Sequence, residues 1–281
     1  MLASGMNGGA YGLAFARIAP GPCGFGPAPG DWPVVTLWTK GLASVPARSE
    51  VGTEQALIPF VETGAVLLDR PTRTATFFTA NPPDEVVLVH PLSSVVAGPL
   101  SRWLGREVLH AGGFVAPDGR VWALLADRAG GKSTTLAALA FEEWLVMSDD
   151  LLVIDEQSVF RGPRCIDLRQ PACAALGAEG RTDPVRGDRR RLPLADVEAE
   201  LPLAGFIFLE WGAQLELTRL GLVERMRLLA SHRAGGSVSG QPEAALMLAE
   251  LPAAEIRRPT GHDALPSTLR MIERFVRAET G

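Results

Sequence analysis

Cysteine is scarce in these 281 residues: Cys23, Cys165 and Cys173 lie far apart, with no Cys-x-x-Cys and no Cys/His cluster. That excludes a disulfide framework and a structural zinc site, and it suits a reducing compartment. Long apolar runs are missing as well. The first sixteen residues carry no charge, but they lack a basic start and glycines interrupt them, so no signal peptide is expected. Residues 86–101 are also uncharged, yet they hold His90, Pro91 and Pro99 and fall short of a membrane span. A surplus of positive charge is absent too. The formal net charge of -5 gives no general attraction to a polynucleotide, so no nucleic-acid partner is expected. There is no internal repeat and no heptad array. A soluble cytoplasmic protein with no membrane partner is the expectation.

What is present is ordinary for a folded chain: 47% hydrophobic and 21% charged residues. The length allows two unequal domains. Residues 18–33, "IAPGPCGFGPAPGDWP", read as an irregular loop, with strand-like runs "YGLAFARI", "VVTLW", "AVLLD" and "TATFFTA" around it. The last two, joined by "RPTRT", predict a hairpin. This outlines a small, mostly β domain over residues 1–84. In the remainder, 85–281, "EVVLVH" reads as a strand and "PLSSVVAGPLSRWLG" as a helix, with Leu92, Val95, Val96, Leu100 and Trp103 on one face. "EVLHAGGFVA" and "RVWALLA" read as strands flanking an Asp-Gly turn. Strand runs "SVF", "CIDLR" and "GFIFLE" follow, the last two separated by an arginine-rich loop. Helix-like stretches cover 222–232 and 265–278. The fold class is α/β: a mixed sheet with flanking helices, plus the small β domain.

Residues 123–140, "ALLADRAGGKSTTLAALA", place a glycine-containing loop between an apolar strand and an Ala/Leu-rich helix. This is the context of a P-loop, G-x-x-x-x-G-K-[ST]. The frame runs Ala126, Asp127, Arg128, Ala129, Gly130, Gly131, Lys132, Ser133 and Thr134. Amides at a helix start attract phosphate, Lys132 neutralises the β- and γ-phosphates, and the Ser133 hydroxyl suits Mg²⁺. Ala126 stands where the pattern has its first glycine. Left-handed geometry there would cost roughly 1–2 kcal/mol. A chance Gly-Lys-Ser, or a loop that has lost its nucleotide, is the alternative.

Directly after the helix, "WLVMSDDLLVID" sets Asp149 and Asp150 at the end of an apolar run. A kinase needs a base for the incoming alcohol's proton, and an aspartate near phosphate and Mg²⁺ serves. Neighbouring carboxylates in a strand point to opposite faces, which predicts two different jobs. A surface Asp-Asp turn is the plainer alternative. His110, in "EVLHAGGFV", is expected at the same end of the sheet, where it could position Asp149.

These residues, above all "GKSTTLAALA" followed by "SDDLLVI", resemble the catalytic domain of the HPr kinase/phosphorylase family, over about residues 105–170. Members transfer phosphate from ATP to a protein serine. The resemblance implies ATP and Mg²⁺ as cofactors, Asp149 as the catalytic aspartate with Asp150 in support, and His110 as its histidine neighbour. Here "HAGG" replaces the family's His-Gly. The family's Glu-x-Arg segment, which supplies a metal-binding carboxylate, has a counterpart in "CIDLR", with Asp167 and Arg169 in that order but Asp for Glu. The divergent front half is more similar to small members encoded beside peptide-tailoring enzymes, lasso peptide clusters included, which phosphorylate a precursor peptide. The regions associated with phosphorylase activity are not recognisable. Hexamers occur in the family, so a homo-oligomer is possible.

The expected activity is transfer of the ATP γ-phosphate to a Ser/Thr hydroxyl of a peptide or protein. Arg181, Arg186, Arg189, Arg190 and Arg191 crowd one loop, where bidentate donors could grip phosphate or an acidic peptide, or merely face solvent. A nucleotide-binding regulator without transfer and a bifunctional kinase/phosphorylase stay open.

Overall fold

The computed structural model of the chain describes residues 7–41, 50–60, 64–236 and 242–280. It is mixed α/β. Eight strands come first: β1 (Gly8–Ala10), β2 (Leu13–Phe15), β3 (Gly26–Pro27), β4 (Val34–Lys40), β5 (Glu50–Val51), β6 (Gln55–Phe60), β7 (Gly64–Asp69) and β8 (Thr74–Thr79). They form one sheet in the order β3-β1-β2-β4-β8-β7-β6-β5. The expected β7–β8 hairpin is there, its turn held by Thr72, whose amide and hydroxyl donate to Asp69 Oδ1 at 3.0 and 2.6 Å. β6, outside the strand-like runs read from the sequence, pairs with β7 from Gln55↔Asp69 to Phe60↔Gly64.

"EVVLVH" is a correction: it is not a strand. It winds as α1 (Glu85–Val87) and a wider π-type turn (Leu88–Leu92). Over six residues an apolar run fits either period, and the cap decides: Asp84 Oδ1 accepts from the Val87 amide at 2.8 Å. At His90 the backbone becomes extended (φ -154°, ψ 127°), and the expected helix follows as α2 (Ser93–Trp103).

The remaining elements are β9 (Glu107–Leu109), β10 (Ala111–Val115), β11 (Val121–Ala126), α3 (Lys132–Phe141), β12 (Val146–Ser148), β13 (Leu152–Asp155), β14 (Ser158–Phe160), β15 (Cys165–Arg169), α4 (Gln170–Ala175), β16 (Asp183–Pro184), β17 (Arg189–Pro193), β18 (Glu200–Trp211), β19 (Glu216–Arg219), α5 (Leu222–Ser231), α6 (Pro242–Glu250), β20 (Ala253–Arg258) and α7 (Leu265–Thr280). "EVLHAGGFVA" is two strands, not one. His110 interrupts it by donating its amide to His232 O at 2.7 Å, so that β9 pairs with β13 while β10 pairs with β11 and β12. The arginine-rich segment, expected as a loop, contains β16 and β17, antiparallel partners in a small sheet with β15.

β11, β18 and β20 run parallel at the centre of the large sheet. Every residue of β11 is buried, and period two sorts them. Trp122, Leu124 and Ala126 pack with Leu136 of α3 and Ile272 and Phe275 of α7. Val121, Ala123 and Leu125 pack with Leu229 of α5 and Leu248 of α6. A strand covered on both faces reads as an unbroken apolar run, and so it does here. The third core cluster joins the front sheet to the rest: Phe15, Phe25 and Phe77 share it with Val96, Leu100, Leu151, Val153 and Phe160. Polar ties cross the same junction, with Trp32 Nε1 donating to Glu200 Oε1 (2.9 Å) and Arg161 Nη2 to Pro27 O (2.7 Å).

Candidate functional site

β11 ends at Ala126, and the chain reverses through residues 127–131 into α3. The two left-handed positions of this loop are Ala129 (φ 66°) and Gly131 (φ 80°); Ala126 is not among them. The cost anticipated for Ala126 therefore does not arise there. Ala126 instead bears on its neighbour: a Cβ on Gly130 would stand 2.8 Å from the Ala126 Cβ and 2.9 Å from Asp127 O, so position 130 must stay bare. Gly130 N donates to Asp127 O (2.8 Å), and Gly131 O accepts from the Thr135 amide and hydroxyl, both at 2.9 Å. These bonds close the loop onto the helix start.

The Gly130 carbonyl points outward to Arg258 Nη2 at 2.8 Å. Arg258 lies at the end of β20, is 3% exposed, and its guanidinium carbon sits 4.5 Å from the Trp211 ring centroid. Burial lowers its pKa to about 10, and no carboxylate pairs with it among the described residues. A desolvated cation thus braces the loop from behind.

Lys132 opens α3. Its Nζ is buried and has no hydrogen-bond partner among the described residues. Desolvation lowers its pKa, opposed by the charges of Asp149 and Asp150. Those two residues occupy the bend between β12 and β13 rather than a strand. Asp150 takes φ 70°, which lets both carboxylates reach the same cavity instead of opposite faces. Asp149 is 7% exposed and accepts from Ser133 Oγ at 3.1 Å. Asp150 accepts from Ser94 Oγ at 3.1 Å and lies 3.6 Å from His110 Nδ1. Burial alone would raise the Asp150 pKa; the charges of His90, Lys132 and His110, with the Ser94 bond, outweigh it and bring it below the ordinary value. His110 is about half exposed (47%), and its pKa is lowered, first by desolvation and then by Lys132.

Asp149, Asp150 and His110 open on one cavity of about 610 Å³, which the loop residues Asp127, Arg128, Ala129, Gly130, Gly131, Lys132, Ser133 and Thr134 also line. Its far wall comes from the small sheet and the turn between β16 and β17, through Asp167, Arg169, Arg186 and Arg189. Asp167 is 5% exposed, and both its oxygens accept from Arg191, from Nε at 2.7 Å and Nη2 at 2.9 Å. Arg191 also donates to Val86 O and His90 O at 3.1 Å, tying β17 to the turn before α2. Arg189 donates to Asp167 O at 2.8 Å. Arg190, on the opposite face of β17, turns away from the cavity and donates to Thr182 and Glu179 O. The arginine triplet is thus divided by strand period, one toward the cavity, one behind it and one outside.

Three groups at the site escape sequence reading. His90 and His262 line the cavity from the turns before α2 and after β20. His232 brings Nε2 to 3.9 Å from Asp127 Oδ1. His90, His110 and His262 therefore line one opening, and His232 lies behind it with its Nε2 buried. No spacing announces this; the turns lie far apart in sequence. Tyr11, fully buried, lies beside Ser148, and the charges of Asp150 and Asp149 add to burial in raising its pKa well above the ordinary value.

Magnesium prefers hard oxygen donors and keeps several waters, so few protein ligands suffice. Ser133 Oγ and Asp149 Oδ1, adjacent beside an ammonium unpartnered among the described residues, fit that need. Asp167 lines the cavity with its oxygens already bonded to Arg191. No group of three or more His, Cys, Asp or Glu residues that could hold a metal by themselves occurs among the described residues.

No protein-family model matches the chain, and no curated protein matches it. Among solved structures it is similar to the HPr(Ser) kinase/phosphatase from Coxiella burnetii, at 11% sequence identity and a TM-score of 0.33, over 62% of this chain and 98% of that chain.

Proposed function

We propose that this protein is an ATP- and Mg²⁺-dependent kinase that transfers the γ-phosphate to a Ser/Thr hydroxyl of a peptide or protein. One observation carries the reading: a buried Lys132 ammonium, unpartnered among the described residues, the loop glycines Gly130 and Gly131, the Ser133 hydroxyl and the Asp149 and Asp150 carboxylates meet in a single cavity. In this reading residues 127–134 bind the nucleotide tail, and Lys132 lies against its β- and γ-phosphates. Ser133, with Asp149 or Asp167 nearby, would hold magnesium, which would supply charge neutralisation. Asp149 accepts the alcohol's proton as the acceptor oxygen bonds to γ-phosphorus and the bridge to ADP breaks. Asp150, braced by Ser94 and His110, holds the bend that aims Asp149. Positioning and fixed charge provide most of the acceleration. Arg169 and Arg189 meet the acceptor or the phosphates, with Arg191 behind them. The division at residue 84 into a β domain and a kinase domain, a cytoplasmic setting, a homo-oligomer and a precursor peptide of the lasso type as acceptor all belong to this proposal.

A second reading, a nucleotide-binding regulator without transfer, is favoured by the Asp167 carboxylate, whose oxygens Arg191 already occupies. Incubation with ATP, Mg²⁺ and serine-containing peptides separates the two. Intact mass of the peptide rises by one phosphate for the kinase and stays unchanged for the regulator, while ATP raises the melting temperature in both. Asp149→Asn is expected to reduce transfer by 10²-fold or more, on the scale of general-base loss; full activity in that variant would refute the proton assignment.

A further inference from the structure

β19 ends the large sheet on its side. It pairs with β20 from Glu216↔Arg257 to Arg219↔Ala254, and no strand pairs with its other edge among the described residues. Leu215, Leu217 and Arg219 alternate with Glu216 and Thr218, so these three share a face. That face and the flank of α7 enclose a groove of about 500 Å³ whose floor is Leu215, Leu217, Met271 and Phe275. Arg219, Arg270 and Arg274 stand at its rim. Arg219 pairs with Glu279, and Arg270 donates to Ser267 Oγ at 2.9 Å, but no carboxylate pairs with Arg270 or Arg274 among the described residues. On a chain of net charge -5 this is a local surplus of exposed cations over apolar surface.

We propose that this groove docks an acidic, extended peptide segment by strand addition to β19. An open edge presents unpaired N–H and C=O groups that an added strand satisfies, and alternate side chains of that strand enter one face. Here that face is apolar at its floor, which takes aliphatic side chains, and cationic at its rim, which takes carboxylates. The inference stands apart from the kinase reading, since it uses none of the residues around Lys132.

The test is fluorescence anisotropy of a labelled heptapeptide, Val-Thr-Glu-Thr-Val-Thr-Glu, which sets Val and Glu on one face of a strand. Saturable binding by the wild-type protein is expected, weakened at least ten-fold in the double variant Arg270→Glu/Arg274→Glu. Both side chains are exposed, so thermal unfolding of the variant should match wild type. Replacing Glu by Lys in the peptide, or Thr by Pro to remove backbone donors, should each weaken binding ten-fold. No saturation by about 1 mM peptide overturns the proposal, as does equal binding by the double variant or by the proline peptide. A dimer in sedimentation that the double variant dissociates would also overturn it, because the groove would then be filled by a second copy.

Discussion

Lys132 is the residue whose environment says most about use. An ammonium without a partner among the described residues, buried beside two carboxylates, is costly to the free protein; in the proposed kinase an arriving polyanion would offset that cost. Its folded pKa is below its unfolded one, so the destabilisation is fully present below the folded pKa and fades as pH rises toward the unfolded value. Lys132→Met should therefore raise the melting temperature of the nucleotide-free protein at neutral pH and abolish the additional rise with ATP, both read by thermal shift. Arg258 poses the complementary case, a cation that positions rather than touches. A hydrogen bond from a charged donor contributes about 1.5–3 kcal/mol, and Arg258→Met removes one from the Gly130 carbonyl. The expected result is a KM for ATP raised about ten-fold or more, with kcat changed less. Arg258→Lys should not restore it, because an ammonium lacks the planar face that stacks on Trp211.

At the scale of the element, the strand-loop-helix unit around 126–132 was legible, since its apolar strand, glycines and Ala/Leu-rich helix agree with one another. The conformation of each loop residue was not. Ala126 looks like the flaw in the pattern, yet it finishes β11 opposite Leu209, and the left-handed non-glycine position is Ala129. Restoring the pattern with Ala126→Gly is thus expected to leave nucleotide affinity unchanged while destabilising the strand end by about 0.5–1 kcal/mol, measured by urea unfolding. "EVVLVH" misled for a related reason. Its apolar residues satisfy period two and period 3.6 alike, and one cap at Asp84 tips the balance.

For the whole molecule, the boundary at residue 84 separates sheets but not cores. Phe15, Phe25 and Phe77 share one apolar cluster with α2 and with Leu151, Val153 and Phe160, and Tyr11 lies beneath the aspartate bend. A chain starting at residue 85 would expose that face of α2 and the buried side of β13 and β14. It is expected to lose cooperative unfolding and to aggregate, as checked by size-exclusion chromatography and circular dichroism; a monomeric, cooperatively melting fragment would argue that the two halves fold independently.

The sequence by itself determined what neighbours along the chain can settle: the apolar run of β11, the bare loop, the helix it opens, the two hairpins and the presence of an aspartate pair after them. Local periodicity and propensity act over a few residues, and there they agree. Tertiary structure alone decided which groups converge. Asp149 and Asp150 face one cavity because Asp150 is left-handed at a bend, and Asp167 meets Arg191 across a β15–β17 register. His90, His110 and His262, from separate turns, line one opening for the same reason. Such encounters depend on strand order and pairing between distant segments, which no window of the sequence contains.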